Sequence, residues 1–148
     1  MNQETVALET NDTWWITELT PDKKAIGSKW VYKIKFKPDG IVERFKARFV
    51  VRGFDQIPNE DYSDTFSPVA KLSTVRTLLA IATVKHWTIH QLDINNTFVH
   101  GFLDEKVYII PLAGYTKATR KVCKLKKSLH GLKQASRQWN KEFTAFSQ

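Results

Sequence analysis

Between Lys29 and Arg52 apolar and polar residues alternate with a period of two, in two runs that flank Asp39-Gly40. Asp-Gly between alternating runs is the strongest short-range hairpin signal, because both residues tolerate the positive φ of a tight turn. A two-residue turn there sets Pro38 against Ile41, Lys35 against Arg44, Lys33 against Lys46 and Val31 against Arg48. Ile34 then faces Phe45, Tyr32 faces Ala47 and Trp30 faces Phe49. The register sorts itself into a basic face and an apolar face, with Glu43 falling on the apolar side.

Elsewhere the pattern is mixed. Residues 1–20 read as a helix followed by a loop, with Val6, Leu8 and Trp14-Trp15 as packing residues. Gly53, Pro58, Asn59, Asp61, Ser63, Asp64 and Pro68 mark a long irregular connection. Ser73 is placed to cap a helix in which Val75, Leu78, Leu79 and Ala82 recur at helical spacing, ending near His86. Residues 87–94 read as a strand, with Trp87, Ile89 and Gln91 on the face of Asp93. A short strand is predicted over 105–110, ended by Pro111, and a weaker one over 121–126 around Val122 and Leu125. Ala135, Trp139, Phe143 and Phe146 give a helical stripe over 134–146. This order fits an α+β layer from which the hairpin projects.

Composition sharpens the picture at three points. The 148 residues are 42% apolar, enough for one domain with a core. No apolar run is long enough to span a membrane, and the opening residues lack the basic and apolar regions of a secretion signal, so neither fate is expected. Cys123 stands alone, which excludes an internal disulfide and a multi-cysteine zinc site and suits a small core or edge residue.

The formal charge of +8 matters because it is clustered. Like charges facing each other across a sheet cost roughly 0.2–1 kcal/mol per pair. A face that gathers Lys33, Lys35, Arg44, Lys46 and Arg48 is explained by an anion lying on it, a nucleic-acid or nucleotide phosphate. The plainer alternative is a solvated face that discourages edge-to-edge association.

Candidate chemistry centres on Gln91 to Gly101. A strand that ends in Asp93 and turns through Asn95, Asn96 and Thr97 presents a carboxylate and free backbone N–H groups to one point, with Phe98 close behind. Those parts suit a divalent metal and a triphosphate. Other constellations are weaker. His86 and His90 straddle the predicted helix–strand boundary and share no helix face. His100 and His130 read as loop or packing residues. No Gly-rich loop ending in Gly-Lys-Ser or Gly-Lys-Thr occurs, no nucleophile-elbow pattern is present, and Asp104-Glu105 reads as a solvated pair.

With these blocks in hand, the chain resembles the N-terminal part of the reverse transcriptase of copia-type (Ty1/copia) LTR retrotransposons, essentially end to end. The resemblance is carried by Lys29 to Lys33, Phe36 to Gly40, Arg44 to Arg48, Asp64 to Val69, Gln91 to Asn96 and Leu125 to Trp139. It implies the fingers and first part of the palm of a right-hand polymerase, with residues 29–52 as a basic hairpin within one incomplete domain of residues 1–148. It also implies RNA-directed DNA synthesis with two Mg²⁺ ions, a template–primer of RNA or DNA, and deoxynucleoside triphosphates. By the resemblance, Asp93 is the first metal carboxylate. Backbone amides near Asn96 and Thr97 approach the triphosphate, and Phe98 packs under the sugar and excludes a 2′-hydroxyl. Lys46 and Arg48 clamp the nucleotide's phosphates, Gln134 lies against nucleotide or template, and Lys33, Lys35 and Arg44 extend the nucleic-acid contact.

The chain departs from the family pattern in places. No Asp-Asp pair occurs in it, whereas the family draws its other two catalytic carboxylates from such a pair in a later hairpin. Phe102 replaces a usual polar residue, Leu112-Ala113 a more proline-rich segment and His130 a usual Tyr. The reading is therefore a polymerase fragment, inactive by itself and completed by the remainder of a Pol polyprotein. A non-catalytic nucleic-acid-binding remnant is the alternative, and a poorly folding remnant the third.

Overall fold

The computed structural model describes residues 2–91, 94, 97–111, 115 and 121–146. Asp93 and Asn96, two of the residues singled out above, lie outside them, as does Leu112-Ala113. The architecture is mixed, with small antiparallel sheets and three α-helices among the described residues.

Helix α1 (Asn2–Thr10) closes through backbone geometry. Asp12 takes φ 50°, its N–H donates to Glu9 O at 2.9 Å, and the Thr13 N–H donates to Leu8 O at 3.1 Å. That pair of bonds satisfies the last carbonyls of the helix. The Thr13 hydroxyl adds a third donation, to Leu8 O at 2.7 Å. The chain then enters strand β1 (Trp14–Thr17), where the sequence reading expected loop. Four residues become a strand here because a partner is at hand: β1 pairs antiparallel with β5 (Val122–Leu125). The sheet order is β1-β5-β4, with β4 (Tyr108–Ile109) shorter than the predicted 105–110. Ile26 extends the far edge by a parallel bridge to Ile109.

Strands β2 (Ser28–Phe36) and β3 (Val42–Val51) form the hairpin. From Ser28/Val51 to Lys35/Arg44 the partners are those the charge pattern sets, including Lys33 with Lys46 and Val31 with Arg48. The tip differs from the expected two-residue turn. The Gly40 N–H donates to Lys37 O at 3.0 Å and the Lys37 N–H to Ile41 O at 2.8 Å, which makes Pro38-Asp39-Gly40 the loop. Pro38 suits the second position of such a turn and Gly40 takes the left-handed conformation at φ 83°. Phe36 then pairs with Val42, and the register shifts before Lys35/Arg44, leaving Glu43 as the extra residue of a bulge.

The core gathers Trp14, Phe49, Val51, Ile109, Cys123 and Leu125 from both sheets, with Leu8 of α1, Ile26 and Leu129 packed among them. Each large side chain so buried contributes about 1.5–3 kcal/mol. Phe49 ties the hairpin in, with its ring 6.1 Å from Trp14 and 5.7 Å from Trp30. Burial pushes the Cys123 thiol up to about 11, as an inert core cysteine requires. Beyond Trp30 and Phe49 the apolar face of the hairpin is uncovered, with Ile34 and Phe45 45% and 78% exposed.

Helix α2 (Leu72–Val84) starts two residues earlier than a Ser73 cap would set it; Lys71 is its cap and makes no side-chain capping bond, so Ser73 is not the cap. It ends on His86 at φ 55°, with His86 N–H to Thr83 O at 3.2 Å and Trp87 N–H to Ala82 O at 2.9 Å. Ala82 is its buried residue, while Val75, Leu78, Leu79 and Val84 stay exposed. Residues 87–91 form no strand. A strand exists only by pairing, and Trp87 and Ile89 have no ladder beside them among the described residues. Helix α3 (Ala135–Phe146) forms as the stripe predicts, although Phe143 and Phe146 remain exposed. No helix among the described residues is long and apolar enough to cross a membrane.

Two glycines fix how the hairpin meets the segment before α3. A Cβ on Gly53 would lie 1.9 Å from Gly131 O, and one on Gly131, at φ 95°, would lie 2.1 Å from Val51 O. Gly131→Ala therefore combines a left-handed backbone penalty with an overlap no side chain can relieve, roughly 2–5 kcal/mol of destabilisation. Gly40→Ala, with nothing within 4 Å of its Cβ, loses only about 1–2 kcal/mol. Urea unfolding of the two variants, read against the parent, checks the difference.

Candidate nucleotide and nucleic-acid interface

The basic face stands on β2 and β3 because the strand alternation puts it there. Lys33, Arg44 and Arg48 are exposed, Lys35 and Lys46 half-buried. Their mutual repulsion acts at the centre: the Lys46 ammonium is held below its usual range, first by the charge of Arg48, then by desolvation and by Arg44 and Lys35. Glu4 of α1 opposes this weakly.

His130 joins that face to the turn that carries Phe98. Its backbone carbonyl accepts the Val51 N–H at 2.8 Å, so the imidazole is anchored at the root of β3. Its ring meets Phe98 edge to face, 4.9 Å between centroids at 81°. Burial, then Arg48 and Lys46, hold the imidazole below the ordinary histidine range. The two residues assigned to nucleotide phosphates thus project their field onto the residue that supports Phe98.

Thr97 and Phe98 open a 3₁₀ turn, Thr97–His100, which leads into Gly101. The Thr97 hydroxyl donates to Ile94 O at 3.0 Å. Gly101 admits α3 closely, since a Cβ there would lie 2.9 Å from Gln138. Between this turn and α3 opens a cleft of about 470 Å³ lined by Pro68, Val69, Thr97, Phe98, His130 and Trp139. Asp64 helps to hold its wall: a carboxylate oxygen accepts the Phe66 N–H at 3.0 Å and the group pairs with Arg137 at 3.5 Å. The Phe66 N–H first, then the Thr65 N–H and Arg137, keep its carboxyl below the usual range.

Gln134 is placed differently from the expectation that it meets nucleotide or template. It is fully buried. Its Oε1 accepts from Gln56 Nε2 at 3.0 Å and its Nε2 donates to Asp61 O at 3.0 Å. Gln56 Oε1 accepts the Lys133 N–H at 2.8 Å, and Asp61 accepts the Ile57 N–H at 2.8 Å. The result is a polar knot that ties the irregular segment after β3 to the start of α3. Lys33, Lys35 and Arg44 lie further out along the hairpin, and Asp93 and Asn96 are outside the described residues.

Sequence reading took His130 as a loop or packing residue without naming Phe98 as its partner, and it missed the Gln56–Gln134 knot. Both are contacts between distant stretches, and no periodicity encodes them; the one local signal was Gly131, which marks a turn beside His130. Asp104 and Glu105 are engaged with neighbouring groups: Asp104 pairs with Lys141 at 3.1 Å, and Glu105 accepts from the Ser63 hydroxyl at 2.9 Å. Among the described residues no three His, Cys, Asp or Glu side chains converge to hold a metal ion.

Comparison with known proteins fits this geometry. The family model described as reverse transcriptase (RNA-dependent DNA polymerase) matches residues 11–148. The chain is 42% identical over 148 residues to the retrovirus-related Pol polyprotein from transposon TNT 1-94 of Nicotiana tabacum, covering 99% of this chain and 11% of that protein. It is 40% identical over 149 residues to the corresponding polyprotein from transposon RE2 of Arabidopsis thaliana, covering 99% and 10%. To the transposon Ty1-ER2 Gag-Pol polyprotein of Saccharomyces cerevisiae it is 36% identical over 134 residues, covering 84% and 7%. The chain thus spans about a tenth of the length of the plant relatives it matches. No solved structure gives a significant match. The chain belongs to the reverse transcriptase family, in the group formed by the copia-type Pol polyproteins.

Proposed function

We propose that residues 1–148 are the fingers and first part of the palm of an RNA-directed DNA polymerase, built to grip nucleic acid and an incoming nucleotide. The observation that supports this reading is that His130, which packs on Phe98, feels the charges of Arg48 and Lys46. A crowded set of cations beside an exposed cleft and an aromatic ring suits a triphosphate whose sugar rests on the ring. In this reading Lys46 and Arg48 bind the phosphates and Phe98 meets the sugar and excludes a 2′-hydroxyl. Backbone amides near Asn96 and Thr97 approach the triphosphate, while Lys33, Lys35 and Arg44 contact the template–primer. Gln134 acts through the loop it holds.

Asp93 supplies one carboxylate, and one is too few to hold two hard cations. Mg²⁺ chemistry therefore needs carboxylates beyond those identified here, and the chain by itself is inactive. The uncovered face of α2 agrees with this, since a palm missing its other elements leaves apolar helix surface in water.

Primer extension on an RNA template with Mg²⁺, run with the parent and Asp93→Asn, is expected to give no product from either. Extension by the parent alone sinks the claim of an incomplete site. Template binding is expected to weaken steeply with salt, and Lys46→Ala/Arg48→Ala to lower the slope of log affinity against log salt by about 1.4–1.8. An unchanged slope removes the hairpin from the interface.

His130 adds a pH dependence with a defined sign. Its folded value lies below 6.5, so the unfolded chain takes up the proton first. The neutral imidazole's contribution to stability is complete above about pH 6.5 and is lost as pH falls through the folded value. The parent is expected to lose more stability than His130→Gln between pH 7.5 and pH 5, measured by urea midpoints. Polyanion binding moves oppositely, strengthening on acidification only where His130 is present.

A further inference from the structure

A second cationic surface lies on the β1-β5-β4 sheet, away from the hairpin strands. Trp15 is 50% exposed and pairs with Lys124 across β1 and β5. The Lys124 and Lys126 ammoniums lie 5.5 Å and 4.4 Å from its ring centre. Strict alternation would send Lys127 to the opposite face, toward the core. Instead the Lys126 and Lys127 N–H groups both donate to Thr13 O, at 2.9 Å and 3.2 Å. Two residues facing one is a bulge, and it re-aims the following side chain. The Lys127 ammonium lies 5.2 Å over the ring of Phe102, which is 54% exposed and forms an isolated bridge with Lys127. Asp12 is ion-paired with Lys126.

We propose that Trp15, Phe102, Lys124, Lys126 and Lys127 form a binding surface for single-stranded nucleic acid. Ammoniums resting on aromatic rings in water are weakly held. An unpaired base can take the ring face while the flexible lysine stems carry their charges to the flanking phosphates. Both interactions are then replaced by stronger ones, because bases stack on aromatic rings whatever their sequence and neutralised phosphates release counterions. A duplex offers no free base face, so the two rings select single strands. Phe102, where the family usually has a polar residue, becomes a stacking platform. The proposal takes its class of partner from the reading above but does not use the hairpin.

The test is fluorescence anisotropy of a labelled fifteen-nucleotide oligothymidylate over a salt series. The proteins compared are the parent, Trp15→Leu, Lys124→Ala/Lys127→Ala and the hairpin variant Lys46→Ala/Arg48→Ala, each checked for a parent-like thermal melt. Trp15→Leu is expected to weaken binding about tenfold. The Lys124/Lys127 variant should lower the salt slope by about 1.4, at about 0.7 per phosphate contact on a single strand. Should Trp15→Leu fail to fold, the half-buried lysine pair, whose ammoniums rest on the rings, still decides. Parent-like binding by both, with loss in the hairpin variant, overturns the proposal and leaves the hairpin as the binding surface. Loss in the Trp15 and lysine variants with none in the hairpin variant upholds it and overturns the hairpin reading. Equal affinity for a blunt-ended duplex of the same length, titrated in parallel, overturns it also, and a parent that binds no oligonucleotide overturns both.

Discussion

The hairpin reaches the rest of the molecule through a contact between two stretches of bare backbone. Gly53 and Gly131 face each other with no room for a β-carbon on either, and the Val51 N–H reaches the His130 carbonyl across the same gap. A hydrogen bond of this kind contributes only about 0.5–1.5 kcal/mol. Its importance is geometric. It sets the height at which β3 leaves the core, and hence where Lys46 and Arg48 stand relative to His130 and Phe98. The Gln56–Gln134–Asp61 knot ties the same two segments together through buried amides, and the Lys133 ammonium adds a donation to Gln56 O at 3.4 Å. Buried amides bonded at both ends cost little to keep and much to break, since each loss strands a polar atom away from water.

Around this firm centre the molecule is unevenly finished. Core side chains from two sheets are fully buried, yet α2, the hairpin's apolar flank and the far half of α3 hold Leu78, Phe45 and Phe146 in the open. Single exposed apolar residues are ordinary, but a whole helix buried only at Ala82 is not. The chain spans about a tenth of its plant relatives. In the proposed reading the exposed surfaces are those a larger polymerase covers.

How much of this was legible in the sequence depended on the range of the interaction. The hairpin's pairing followed from alternation and an Asp-Gly turn, and α3 followed from a stripe of apolar residues, because both signals are local. Of the strand expected over 87–94, residues 87–91 have no ladder among the described residues, since apolar alternation says what a segment can do and not whether a neighbour is present. Trp14 to Thr17 became a strand for the converse reason: β5, over a hundred residues later, supplies the partner. In the candidate site the cationic residues were readable one by one, whereas the place of His130 beneath Phe98 and the inward turn of Gln134 depend on contacts that the chain makes only when folded.

The hairpin's two irregularities act as a parity device. The loop Pro38-Asp39-Gly40 is one residue longer than the shortest turn, and Glu43 adds one more on the return strand. With the loop alone, Ile34 would stand opposite Arg44 and Lys33 opposite Phe45, and each face would carry a mixture of charge and hydrocarbon. The second offset restores the sorting, so that Lys33 meets Lys46 and Ile34 meets Phe45. An insertion or deletion of a single residue anywhere between Lys37 and Glu43 would scramble both faces at once, while a compensated pair of changes would pass unnoticed. Turn length in this hairpin can drift only in even steps.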